Sequence, residues 1–349
     1  MTDALFVGLQ DDNKVLVFAI DGETGGLNRQ GELPEPGGPS VFAISNDRNT
    51  LYVGKRDPAS IVSYRIDRRT GALSPLGTAA QPQAPTFLAP DRSGKFMLCA
   101  YYQGKGAAVY RIGDDGAVGA PSQEWLGTDI GAHAIATDRS NRFAFVPHIS
   151  RVQDNVLEPP KNIPGPNYIA QFRFDAQTGQ LAQNSPHRVE QGDLVGPRHY
   201  CFHPTLDLVY FSNEQGSSVT SYRLDANGSL SPVQTISTLP ADFTTRNTCS
   251  QIHLTPSGKY LYVGNRGHNS IAGFAVDAAG NLTAAGRAPT EVVPSAFSLD
   301  PQGRFLYAAG TASNALASYR IDQQTGTLTQ FASQPVGKRP AAVMSVQLG

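Results

Sequence analysis

A chain of 349 residues with 28 basic and 29 acidic side chains has a formal charge of -1. Neither sign gathers into a run, which argues against a nucleic-acid footprint or a charged membrane face. With 35 Gly, 25 Pro and only 16% charged residues, the chain is too rich in turns and too poor in Ala, Glu, Lys and Leu for a bundle of long helices, and it reads as all-β.

The opening MTDALFVGLQ carries Asp3 and no basic n-region and enters an alternating strand almost at once, so neither a signal peptide nor a transit peptide is expected. No apolar run approaches the roughly 20 residues of a spanning helix, and the default expectation is a soluble cytoplasmic protein. From Leu5 onward one phrase recurs: an apolar strand, a short polar loop, an alternating strand ending in Asp, then a turn with Gly. Its copies are LFVGLQDDNKVLVFAIDGETGGL from Leu5, LYVGKRDPASIVSYRIDRRTGAL from Leu51 and FMLCAYYQGKGAAVYRIGDDGAV from Phe96. A fourth is split into FAFVPHIS from Phe143 and NYIAQFRFDAQTGQL. Three more begin at Val209, Leu261 and Phe305, which makes seven.

Six copies are preceded by a further strand and tight turn, as in QIHLTPSGKYLYV and AFSLDPQGRFLYA, where Pro-x-Gly supplies the turn chemistry. Each unit is therefore four short antiparallel strands. A period of about 45 residues with four strands per unit predicts a seven-bladed β-propeller. The first copy lacks its leading strand, but PAAVMSVQLG at the C-terminus has the form of PSVFAIS before the second copy. The C-terminal strand is therefore expected to join the N-terminal blade and close the ring. Residues 1–349 are expected to form one domain, interrupted only by a Pro-rich insertion, Ser150 to Asn167, in the fourth unit.

Within a blade the second strand returns antiparallel to the first, so the start of the first and the end of the second lie at one end. Arg198 and His199 stand at the start of a first strand in GPRHYCFHP, and Glu214 closes the second strand of the same unit in YFSNEQGSS. By the same rule His133, opening GAHAIATD, joins that face, as do His148, Arg266, Lys55 and Arg56, which close second strands. Asn213 and Asn265 precede Glu214 and Arg266 and count as substrate-binding positions on it. The insertion after His148 leaves from this face and is a candidate lid.

The expected result is a cationic cup with one carboxylate and several imidazoles. A carboxylate beside imidazole can act as a general base, and paired guanidiniums can clamp a carboxylate or phosphate or stabilise an oxyanion. That combination suits hydrolysis of a lactone to an anionic sugar acid. The bland reading of the same residues is a set of salt bridges and caps tying strand ends together. His203 and His253 fall near the opposite ends of first strands and read as structural. GKGAAVY lacks the Lys-Ser/Thr of a phosphate loop. Without H-E-x-x-H, C-x-x-C or a carboxylate cluster on the face, neither a metal nor another cofactor is expected, and a divalent ion on Glu214, Asn213 and Asn265 is a minority reading. Cys99, Cys201 and Cys249 are odd in number, lie far apart, and read as reduced and buried.

GPRHYCFHP…YFSNE and YVGNRGHNSI, together with the repeat, resemble the seven-bladed propeller lactonases typified by bacterial 6-phosphogluconolactonase, over essentially the whole chain. That family shares its fold with the fungal-type 3-carboxy-cis,cis-muconate lactonizing enzyme. The resemblance implies a small-molecule sugar lactone as partner and assigns functional roles to His133, Arg198, Glu214 and Arg266, with His199 as a binding residue. His148 and the insertion after it depart from the pattern. The expected mechanism has Glu214, helped by His133, activate water while Arg198 and Arg266 hold the developing charge and the anionic group of the substrate. The alternatives are a cycloisomerase running towards ring closure, and a non-catalytic propeller serving as a binding platform. Oligomeric state is not readable from the sequence.

Overall fold

The computed structural model describes residues 3–349, and the described residues contain β-strands and turns but no helix. Seven four-stranded antiparallel sheets and one two-stranded ribbon account for the strands, so the chain is a seven-bladed β-propeller with the repeat unit as its blade. Among the described residues no helix is long and apolar enough to cross a membrane.

By its contacts the chain divides into two compact units, Met1–Val146 with Phe172–Ala182 and Val336–Gly349, and Pro147–Gln171 with Gln183–Pro335. In the first unit, the strand Asp3–Leu9 pairs with Lys14–Ile20 on one side and with Pro340–Gln347 on the other. The last strand thus completes the first sheet, in register from Asp3↔Gln347 to Leu9↔Pro340. Apolar clusters join neighbouring sheets of this unit. One joins Phe6 and Val17 of the first sheet to Leu51, Val53 and Tyr64 of the second. Another joins Tyr52 and Ile61 of the second sheet to Met97, Cys99 and Tyr110 of the third.

The second unit repeats this layering. Its fifth sheet runs Pro197–Phe202, Leu208–Asn213, Ser218–Leu224, Leu230–Ser237, and its sixth runs Cys249–Leu254, Tyr260–Asn265, Ser270–Val276, Leu282–Pro289. Leu208–Asn213 is buried at every position, whereas Leu230–Ser237 is mostly exposed or half-buried. The apolar run LVYF therefore stands where neighbouring sheets press on both faces, and the polar outermost strand meets water. Each fully buried Leu, Val or Phe contributes roughly 1.5–3 kcal/mol of transfer free energy to that layer.

Second-strand tyrosines stitch successive sheets together. Tyr210 Oη donates to the Gly280 carbonyl at 2.8 Å, and Tyr262 Oη donates to the Gly326 carbonyl at 2.8 Å. Both glycines have left-handed φ, +86° and +73°, and a Cβ there would lie 2.0 Å from Leu208 at Gly280 and 2.2 Å from Tyr260 at Gly326. The turn glycine that marks the repeat in the sequence is thus required by conformation and by close packing.

One local expectation changes. The first strand of the fourth sheet shortens to Ala136–Thr137, so His133 precedes a strand instead of opening one. The insertion is ordered as a ribbon, with Arg151 paired to Pro164 and Val152 to Ile163.

Candidate active site

In the fifth sheet Pro197 pairs with Asn213 and His199 with Ser212, which leaves Arg198 as an extra residue on its strand. Such a bulge re-aims one side chain at a strand end. Bulges at the same place in the second and seventh sheets carry Ser40 and Ser295. Arginine stands in a slot that the repeat otherwise gives to a small residue. Gly196, at φ +66°, makes the turn into this strand, and its carbonyl accepts from the Glu214 N–H at 2.6 Å. The two strand ends are therefore tied by backbone before any side chain acts.

Glu214 is the hub. One of its carboxylate oxygens, Oε2, lies 2.8 Å from Arg198 Nε, and the other, Oε1, lies 2.6 Å from Arg266 Nη2. Arg266 Nη2 also donates to the Cys249 carbonyl at 3.1 Å. Glu214 is 3% exposed and Arg198 8%, so two cations share one anion almost out of water. Arg198 Nη1 and Arg266 Nε are buried with no hydrogen-bond partner among the described residues. Burial first, and then repulsion from Arg266, lower the Arg198 guanidinium to about 10, with Glu214 opposing the shift. A buried cluster with one surplus positive charge and spare N–H donors has the chemistry to accept an anion.

The other predicted positions sort by unit. Asn213 donates its amide to Ser218 Oγ at 2.9 Å and Thr220 Oγ1 at 2.8 Å. Asn265 donates to the Thr238 carbonyl and Ser270 Oγ and accepts from Thr238 Oγ1 at 2.8 Å. Both fix the loops that hold Glu214 and Arg266. His199 is buried in the fifth sheet. His148, fully buried, lies against the Tyr168 ring at 4.4 Å, and the Arg188 guanidinium lies over the same ring at 4.5 Å. In the first unit Lys55 Nζ pairs with Glu35 Oε1 at 3.1 Å, Arg56 is exposed, and His133 meets Tyr102 edge to face at 5.5 Å. The structure brings Arg198, Glu214 and Arg266 into one cluster and gives Lys55 a carboxylate of its own.

Away from the cluster, His203 Nδ1 accepts from the N–H groups of Thr205 and Leu206 and caps its turn. Burial lowers the His253 imidazole to about 4, against a hydrogen bond to the Phe297 backbone that favours the protonated ring, so it is neutral near pH 7. Burial pushes the Cys249 thiol up to about 12, and all three cysteines are free. Among the described residues no group of three or more His, Cys, Asp or Glu side chains is arranged to hold a metal ion.

Sequence reasoning missed Glu35, Asp154, Gln215 and Arg246. Gln215 follows Glu214 directly. It accepts from Ser150 N–H and Oγ–H, at 3.2 and 3.0 Å, and donates to the Arg151 carbonyl and Asp154 Oδ2, both at 3.3 Å. Arg246 forms an ion pair with Asp154. These contacts are long in sequence, and the only local signal was polarity in NEQG and TTRN.

Three comparisons bear on this geometry. The family model described as lactonase, 7-bladed beta-propeller, matches residues 4–345. A 6-phosphogluconolactonase of Pectobacterium carotovorum is 34% identical over 346 residues, covering 99% of this chain and 85% of that protein. One from Xenorhabdus nematophila is 33% identical over 265 residues, 75% of each. Among solved structures, a periplasmic gluconolactonase of Pseudomonas aeruginosa superimposes with a TM-score of 0.87 at 23% identity over the whole of both chains, which speaks to the fold. With the matched model running from the first strand to the last, which pair in one sheet, and relatives at 33–34% identity over most of the chain, the chain belongs to the lactonase family of seven-bladed β-propellers.

Proposed function

We propose that the protein hydrolyses a sugar-acid lactone bearing an anionic group, as a 6-phosphogluconolactonase does, at the Arg198–Glu214–Arg266 cluster. The observation that carries this reading is the surplus positive charge there, with buried N–H groups of Arg198 and Arg266 left over after Glu214 is paired. A phosphate or carboxylate on the substrate supplies the missing negative charge, and a bidentate guanidinium recognises its planar edge. Glu214 then takes a proton from water as the water oxygen bonds to the lactone carbonyl carbon. The oxyanion that forms is held by guanidinium N–H groups. Its collapse breaks the bond to the ring oxygen, which takes up a proton, and the open hydroxy acid leaves as its carboxylate. Free, unpaired cysteines fit a reducing compartment, and the cytoplasmic setting belongs to this reading.

The test is an assay of purified protein on phosphorylated and plain aldonolactones, with spontaneous hydrolysis subtracted and a carboxymuconate run in parallel. Hydrolysis above background, strongest for an anionic lactone, supports the proposal. Turnover of the muconate alone would replace hydrolysis by ring closure, and activity on neither would leave the propeller as a binding platform.

A further inference from the structure

The insertion at 150–167 is linked to the chain beside every charged member of the cluster, directly near Arg198 and Glu214 and through Arg246 near Arg266. Asn167 Oδ1, at its far end, accepts from Gly196 N–H at 2.9 Å, two residues before Arg198. Ser150, at its near end, donates N–H and Oγ–H to Gln215, the residue after Glu214. In its middle Asp154 pairs with Arg246, which also donates to the Glu158 carbonyl at 2.5 Å. The Arg246 carbonyl in turn lies so near Gly267, the residue after Arg266, that a Cβ on that glycine would sit 2.1 Å from it. Asn247 Oδ1 accepts from the N–H groups of Gly267 and His268, and the Thr248 carbonyl accepts from Arg266 N–H at 3.0 Å. The Asp154 carboxylate joins two of these routes, since Oδ1 meets Arg246 and Oδ2 accepts from Gln215. It is largely buried, with 7% of its side chain exposed, which makes it a rivet in a way that an exposed ion pair is not.

We infer that the insertion is a strap that sets the spacing of the three charged residues, with Gln215 and Arg246 as positioning residues, and that it acts on the chemical step more than on substrate entry. The inference rests on the cluster being the reacting site. Displacement of a reacting group by about 1 Å costs as much as a hundredfold in rate, so loosening the strap lowers kcat. A lid that only covers an opening changes KM or substrate choice instead.

The experiment compares wild type with Gln215→Ala, Asp154→Arg, Arg246→Asp and the double charge swap. Readouts are kcat and KM on an anionic aldonolactone, thermal unfolding, and hydrogen exchange in segments 196–199, 213–216 and 264–268. The single variants should lose about ten- to a hundredfold in kcat with KM within about threefold, while those segments exchange faster. The swap should recover most of the loss, which a bystander loop does not predict. Unchanged kcat and exchange in the single variants overturns the strap. So does a rise in KM alone, or a double variant as poor as the sum of its parts. If wild type hydrolyses no lactone, the proposed function falls, and the exchange data alone decide the strap.

Discussion

Two buried glutamates divide the work of the polar interior differently. Glu35, in the first unit, faces one ammonium, Lys55, and accepts a hydrogen bond from the Tyr64 phenol. Burial and the Glu35 carboxylate raise the Tyr64 phenol well above its ordinary value, so it stays a donor. One anion, one cation and one neutral donor make a closed, charge-balanced group. Glu214, in the second unit, faces two guanidiniums, and donors remain unused. Burying an unbalanced charge costs free energy that a balanced pair avoids. Charge count therefore separates a balanced strand-end tie from a cluster that can serve the proposed receptor role, although both are carboxylates beside residues that end second strands.

The largest expected contrast comes from neutralising each glutamate. Glu214→Gln should lower kcat by about 10²- to 10⁴-fold if it is the general base. The same change should lower stability by about 3–5 kcal/mol, because two buried cations lose their shared counter-charge. Glu35→Gln leaves a single ammonium on a flexible stem that reaches water, and should cost less in both assays. Inorganic phosphate should restore part of the thermal stability of the first variant and little of the second, as read by unfolding midpoints. Equal behaviour of the two variants would erase the distinction.

Removing the cations is the next largest test. Arg198→Ala and Arg266→Ala should each lower kcat for an anionic lactone by about 10²- to 10³-fold, the range for loss of an oxyanion donor. Lys55→Ala should cost far less. Similar losses from all three would mean a diffuse cationic field with no specific clamp.

A smaller effect is expected from alkali. Arg198 has its folded value lowered to about 10, so the folded protein binds that proton less tightly than the unfolded chain does. Below about 10 the site is charged and its burial opposes folding; as pH rises through about 10 that opposition is relieved and the anion receptor is lost. Protection by phosphate against thermal unfolding should therefore hold from neutral pH to about 9 and fall above 10. Protection persisting undiminished at pH 11 would mean that Arg198 keeps its proton there and that burial does not lower it as far as about 10. The smallest effect is that of Tyr64→Phe. It should lower stability by about 1 kcal/mol, the worth of one hydrogen bond, and leave lactone turnover near wild type.

The sequence by itself determined the repeat, and with it the number of sheets, their four-strand order and the closure of the first sheet by the last strand. Periodic apolar strands and turn residues such as Gly280 and Gly326 are local signals, and each copy reinforces the others. It also marked Arg198, Glu214 and Arg266, because antiparallel pairing sends the start of one strand and the end of the next to the same place. Only the tertiary structure decided which charges pair. Lys55 falls by the strand-end rule on the same face as Arg266 and reads as a substrate-binding ammonium, yet it is claimed by Glu35, a residue twenty positions earlier in a loop. Asn213 and Asn265 read as ligands, yet the Asn213 amide is engaged within the hairpin that follows it, and the Asn265 amide by Ser270 of its own hairpin and by the Thr238 carbonyl after the preceding sheet. The insertion reads as an ordered or semi-ordered loop and a candidate lid, but its partners are not legible there: Asp154 pairs with Arg246, 92 positions away, and with Gln215. Strand pairing follows from local pattern, but the partner of a buried charge depends on which side chains the packed sheets bring within about 4 Å, and no local pattern records that distance.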